Sequence, residues 1–194
     1  MTTSGPEAEP AGSPSARAPG PDSRKNGVWR RLSTSFVAHF ERHRRRGAQA
    51  FFWWITAESM AVSAVLALGF RALISEPAPA WASSSRPSLF AQLVLLAPVV
   101  ETLLFQILPV GLARWARAGF RGQLLAAWLP FACFHFFNGI VSGIAAGVGG
   151  GFYLGFAYAH WRERGFGTAV GLTMLSHAVH NAFVFAGGML SGAL

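Results

Sequence analysis

Glu101 stands inside an apolar run from about Leu89 to Leu112 that contains no Lys or Arg. A carboxylate at the centre of a membrane helix costs about 2.5–3.5 kcal/mol on insertion scales, so such a residue marks a functional site by default and takes a partner. Two later apolar runs carry candidate partners: His135 in one, and His177, His180 and Asn181 in the other. These side chains suit peptide hydrolysis, which needs a base to activate water and donors to hold the oxyanion. In that chemistry Glu101 is the base and His135 holds the same water. His177 and Asn181 donate to the developing oxyanion.

Spacing groups the residues further. Phe131 and His135 are four apart and share a helix face, as do His177 and Asn181, with His180 three from His177. Gln106 follows Glu101 by five residues, about 140° around a regular helix, so it is expected to fix a neighbouring helix or backbone. Phe131, His180 and Gln106 therefore stand beside the site in supporting roles. A lone histidine on an apolar helix is commonly a packing residue. The co-occurrence argues otherwise: in full spans Glu101, His135 and His177 each lie about ten residues from a helix end, near the bilayer midplane. Glu58 reads as a snorkelling or helix-to-helix hydrogen-bonding residue, His160 as interfacial, and Cys133 as a buried small hydrophobe.

The elements that must position these groups are membrane helices. Of the 194 residues, 52% are hydrophobic and 12% charged, about half the usual soluble share of roughly 25%. The fold expected is all-α, a polytopic transmembrane bundle with about five spans, at roughly 50–74, 89–112, 124–140, 142–160 and 168–190. The third is short and holds Pro130, so it is the one expected to tilt, break or re-enter. The fourth carries Gly143, Gly147, Gly151 and Gly155, a ladder that lets helix backbones approach closely. Internal packing is favoured over homodimerisation for it, which leaves the oligomeric state open.

The charge of +8 is concentrated at the start, with nine of the sixteen Lys and Arg before residue 47. Anionic lipid headgroups suit this pattern better than nucleic acid, which is not expected as a partner. Residues 1–27 are rich in Pro, Gly, Ser and charge and are expected to be a disordered tail. Residues 28–46 place Trp29, Leu32, Phe36 and Phe40 at helical spacing among arginines, which suits either a basic amphipathic interfacial segment or a plain basic flank. Residues 47–194 then form the bundle. The positive-inside rule places the amino terminus in the cytoplasm. One cysteine excludes an internal disulfide framework.

Three segments, Glu101-Thr-Leu-Leu-Phe-Gln106, Phe131-Ala-Cys-Phe-His135 and His177-Ala-Val-His-Asn181, resemble the three ordered motifs of the CPBP (Abi, CAAX-protease and bacteriocin-processing) family. The resemblance covers roughly residues 85–190. It implies a glutamic-type intramembrane endopeptidase acting on a membrane-anchored or lipidated protein or peptide, in the inner (cell) membrane of a bacterium, with no cofactor. It also implies that Glu101 is the catalytic base. The chain departs from the family pattern at Thr102, where a second glutamate stands, and at Gln106, where an arginine stands, which suggests a divergent branch.

Other readings remain at this point. One carboxylate and two histidines are also a donor set that zinc accepts, although no His-Glu-x-x-His motif is present. Ser142 with His177 would suit a serine peptidase but leaves Glu101 without a role. A non-catalytic scaffold or immunity-type protein would use the polar residues only to join helices.

Overall fold

The computed structural model describes Met1 and residues 21–76 and 85–190, with side chains described from Ser33 onward in the first stretch. Six helices account for the described chain, and no strand occurs among the described residues: α1 (Pro21–Arg44), α2 (Ala48–Arg71), α3 (Arg86–Trp115), α4 (Phe120–Phe136), α5 (Ile140–Arg162) and α6 (Phe166–Leu190). The chain divides into two compact units, Met1–Glu41 and Arg42–Leu194. In the first, the backbone is helical from Pro21, a residue favoured in a first helical turn. Residues 21–27, expected in a disordered tail, are therefore helical; residues 2–20 of that tail lie outside the described residues. Of the four residues of the expected interfacial face, Phe36 and Phe40 have described side chains, and their rings meet at 4.8 Å; Trp29 and Leu32 lie outside the described side chains.

The second unit is a membrane bundle. α2, α3, α5 and α6 are each long and apolar enough to cross a bilayer. α4 occupies the place of the expected third span but runs four residues earlier than 124–140. It ends at Phe136 because the chain turns at Asn138-Gly139, where Gly139 adopts φ 109°. Only glycine takes that conformation without strain. At 17 residues α4 is about 25 Å long, less than a hydrocarbon core of about 30 Å.

α5 is the central helix. Of its most apolar stretch 61% is buried, against 33% or less in the other three spans. It packs on α2, α4 and α6. Its glycine ladder explains how. A Cβ on Gly143 would strike the Phe136 ring, and one on Gly151 the Phe131 ring. One on Gly147 would come to 2.9 Å from the Ala132 carbonyl and 3.0 Å from His135 Cβ. Gly155 faces Leu124 and Ala127. The ladder is thus the internal seat of α4.

α3 is irregular for a reason legible in its prolines. Pro98 and Pro109 each lack an N–H, and each ring crowds the carbonyl four residues earlier, on Val94 and Phe105. Those residues lie in two widened π-helical turns, Ala91–Leu96 and Thr102–Ile107, which relieve the crowding. Large apolar side chains such as Leu95, Leu103, Leu68 and Val65 point outward. On a soluble protein such a surface would be an aggregation liability, whereas here it meets lipid.

At one end of the bundle the arginines gather. Arg44 bonds Glu163 at 3.4 Å and lies over the Phe120 ring, while Arg164 donates to the Arg44 carbonyl at 2.6 Å. Glu58 makes the helix-to-helix bond expected of it, to the buried His43 at 2.9 Å. His160, in the last turn of α5, is buried against protein, ringed by Phe51, Phe156 and Trp161. One smaller expectation, a buried Cys133, is corrected: Cys133 is exposed on the outer face of α4.

Candidate active site

Glu101 ends the regular turn Ala97–Glu101, just before the second widened turn of α3. Its Oε2 lies 3.5 Å from Nε2 of His177 on α6 and 3.8 Å from Nε2 of His135 on α4. All three side chains are largely withdrawn from the surface. Both separations are longer than a good N–H···O bond, so the carboxylate oxygen is flanked, not tied.

Counted from the arginine-rich end, the three residues stand at similar distances along the chain. Glu101 is thirteen residues before Arg114, His135 fourteen after Arg121 and His177 thirteen after Arg164, about 20 Å in each case. Counted from the other end the similarity fails for His135. That residue sits in the last turn of α4, not ten residues from a helix end.

Phe131 holds both imidazoles. Its ring stacks on His135 with centroids 4.3 Å apart and meets His177 edge-on at 5.8 Å. His135 Nδ1 is 3.0 Å from the Phe131 carbonyl. A carbonyl only accepts, so Nδ1 carries the hydrogen and Nε2 presents a lone pair toward Glu101.

Beside the imidazoles is a cavity of about 20 Å³, room for one water. His135, His177, His180 and Asn181 contribute to its wall, and no serine does. Asn181 donates one amide hydrogen to the Leu93 carbonyl at 2.8 Å, which ties α6 to the first widened turn of α3. His180 is fixed by Ser59 of α2, whose Oγ lies 3.1 Å from Nδ1. Gly150 leaves room for that ring, since a Cβ there would sit 3.3 Å from His180 Cε1.

On its other side Glu101 borders a groove of about 230 Å³. Leu96, Val100, Leu104 and Phe134 line it with apolar, exposed side chains, and Gln92 adds an amide. The groove opens on the lipid-facing surface of α3.

Gln106 departs from its expected role of fixing a neighbour. It is fully buried, and neither its amide oxygen nor its nitrogen has a hydrogen-bond partner in the protein. The widened turn between it and Glu101 winds fewer degrees per residue, which brings Gln106 nearer the Glu101 face than 140°.

The sequence reading missed Ser59 and its stripe. Thr56, Ser59 and Ser63 are buried on one face of α2 and bond Ser176, His180 and the Ala145 carbonyl respectively. Their three- and four-residue spacing was the available signal.

No family model, curated protein or solved structure matches the chain. The functional reading therefore rests on the site itself.

Proposed function

We propose that the chain is a glutamic-type intramembrane endopeptidase that hydrolyses a peptide bond in a membrane-anchored or lipidated protein or peptide. The observation that carries this reading is the Glu101 carboxylate, flanked by His177 and His135 on one side and bordering a lipid-facing groove on the other. A substrate held in the bilayer reaches Glu101 along that groove without first entering water.

The chemistry follows from the lone pairs. A water between Glu101 and His135 donates one hydrogen to the carboxylate and the other to Nε2 of His135. Its own lone pair then faces the scissile carbonyl. As the oxygen attacks the carbonyl carbon, Glu101 takes the proton. His177 Nε2–H and the second amide hydrogen of Asn181 stabilise the oxyanion. Collapse breaks the C–N bond, and Glu101 returns the proton to the leaving amine. The products are a carboxylic acid, which then ionises, and an amine, which takes up that proton.

The basic segment before residue 47 and the arginine-rich end of the bundle face the cytoplasm in this reading. The membrane is the inner membrane of a bacterial cell, as the likeness to CPBP proteins implies. The test is cleavage of a membrane-anchored substrate in proteoliposomes by the wild type and by Glu101→Gln. Cleavage lost with Glu101→Gln supports the reading. Equal cleavage by both sinks it and leaves a scaffold or a different active site.

A further inference from the structure

The groups assigned to the reaction so far, Glu101, His135, His177 and Asn181, lie on α3, α4 and α6. A separate contact lies at the far end of α4, where the chain turns into α5. Glu76, five residues past the end of α2, reaches this turn with both carboxylate oxygens. Oε1 accepts from the Ile140 N–H at 2.6 Å and Oε2 from the Val141 N–H at 3.1 Å.

The first N–H groups of a helix have no partner within it. One carboxylate here serves two of them, and it carries the charge that a helix start favours.

The turn is built around that carboxylate. Gly139 has φ 109°, and a Cβ on it would lie 2.9 Å from Glu76 Oε2. Any larger residue would meet both objections at once.

The same turn closes α4 immediately after His135. The Phe137, Asn138 and Gly139 amides donate to the carbonyls of Phe134, His135 and Phe136 at 3.2, 3.1 and 3.1 Å. Phe136 in turn rests on Gly143, in the first turns of α5. His135 therefore sits on a terminal turn, the kind that frays. What lies beyond that turn is anchored by Glu76.

We propose that Glu76 is a positioning residue for His135: it clamps the start of α5 and thereby holds the last turn of α4, with its imidazole, at the Glu101 carboxylate. This rests on the reading of His135 as the group that holds the attacking water. Glu76 touches no reacting atom. Its effect is expressed in the placement of the ring, hence in kcat more than in KM.

The test uses the full chain in nanodiscs with ¹⁵N-labelled histidine, alongside the cleavage assay. Glu76→Ala should shift the His135 ring resonances while those of His43 and His160 stay in place. It should speed hydrogen exchange at the Ile140 and Val141 amides. It should lower kcat about tenfold or more with KM changed less than about twofold. Glu76→Gln, which keeps one accepting oxygen, should recover part of each effect and serves alone if Glu76→Ala does not fold.

A merely structural cap would lower thermal stability and leave the His135 resonances and the kcat of folded protein unchanged; that result overturns the proposal, as does a loss confined to KM. If wild type cleaves nothing, the peptidase reading has failed. The resonances and the amide exchange then still decide whether Glu76 holds His135.

Discussion

Glu101 Oε2 and His177 Nε2 lie 3.5 Å apart, although the two residues come from different helices with α4 and α5 between them in the chain. The oxygen has no hydrogen-bond partner in the protein. A buried carboxylate oxygen held near a donor but not bonded to it is free to accept a proton from a third group, and the variants below test that freedom.

Glu101→Gln keeps the shape of the side chain and removes its capacity as a base. Turnover should fall to the assay floor while the melting temperature in detergent stays close to wild type. His135→Ala should be nearly as severe, by at least about a hundredfold, the usual contribution of a positioned acid–base group. Cleavage kinetics with parallel thermal scans check both.

His177→Ala and Asn181→Ala should each slow cleavage by about a hundred- to a thousandfold, as for a lost oxyanion donor. They should differ in stability. Asn181→Ala also strands the Leu93 carbonyl, with an added cost of about 1–3 kcal/mol. A larger drop in melting temperature for Asn181→Ala than for His177→Ala is the expected outcome.

Ser59→Ala leaves His180 Nδ1 buried without its partner. The expected loss is about 1–3 kcal/mol of stability, with a smaller effect on rate per folded molecule. Denaturation in detergent measures the first and single-turnover cleavage the second.

Gly147→Ala should be disruptive, because the added carbon meets the Ala132 backbone and His135 Cβ. Overpacking of this kind costs about 1–3 kcal/mol and should displace His135 as well. Gly167→Ala is the control, since nothing lies within 4 Å of its would-be Cβ. Stability and cleavage of the two variants, side by side, check the contrast.

Exhaustive chelation should leave cleavage intact, and Ser142→Ala and Cys133→Ser should be near neutral. Zinc that co-purifies stoichiometrically, with activity lost on its removal and restored on its return, would overturn the glutamic mechanism. An inactive Ser142→Ala would move the site to a serine mechanism.

The sequence by itself determined the class of fold and the polar residues worth attention. Hydropathy over about twenty residues is a local property, so the apolar runs around Glu101, His135 and His177 declare themselves without any knowledge of packing. The glycine spacing from Gly143 to Gly155 likewise announces a close helix contact, because four residues return to one face. Tertiary structure decided the rest. Where α4 stops depends on the turn at Gly139, and the start of α5 is met by a carboxylate from Glu76, sixty-four residues before Ile140. That Asn181 ties α6 to a widened turn of α3, and that Ser59 holds His180, are pairings between distant segments with no local signature. The widening of α3 around Pro98 and Pro109 changes which side chains share a face, and a regular 3.6-residue period cannot foresee it. Period and composition say which groups lie on a face; only the packing of faces says which atoms meet.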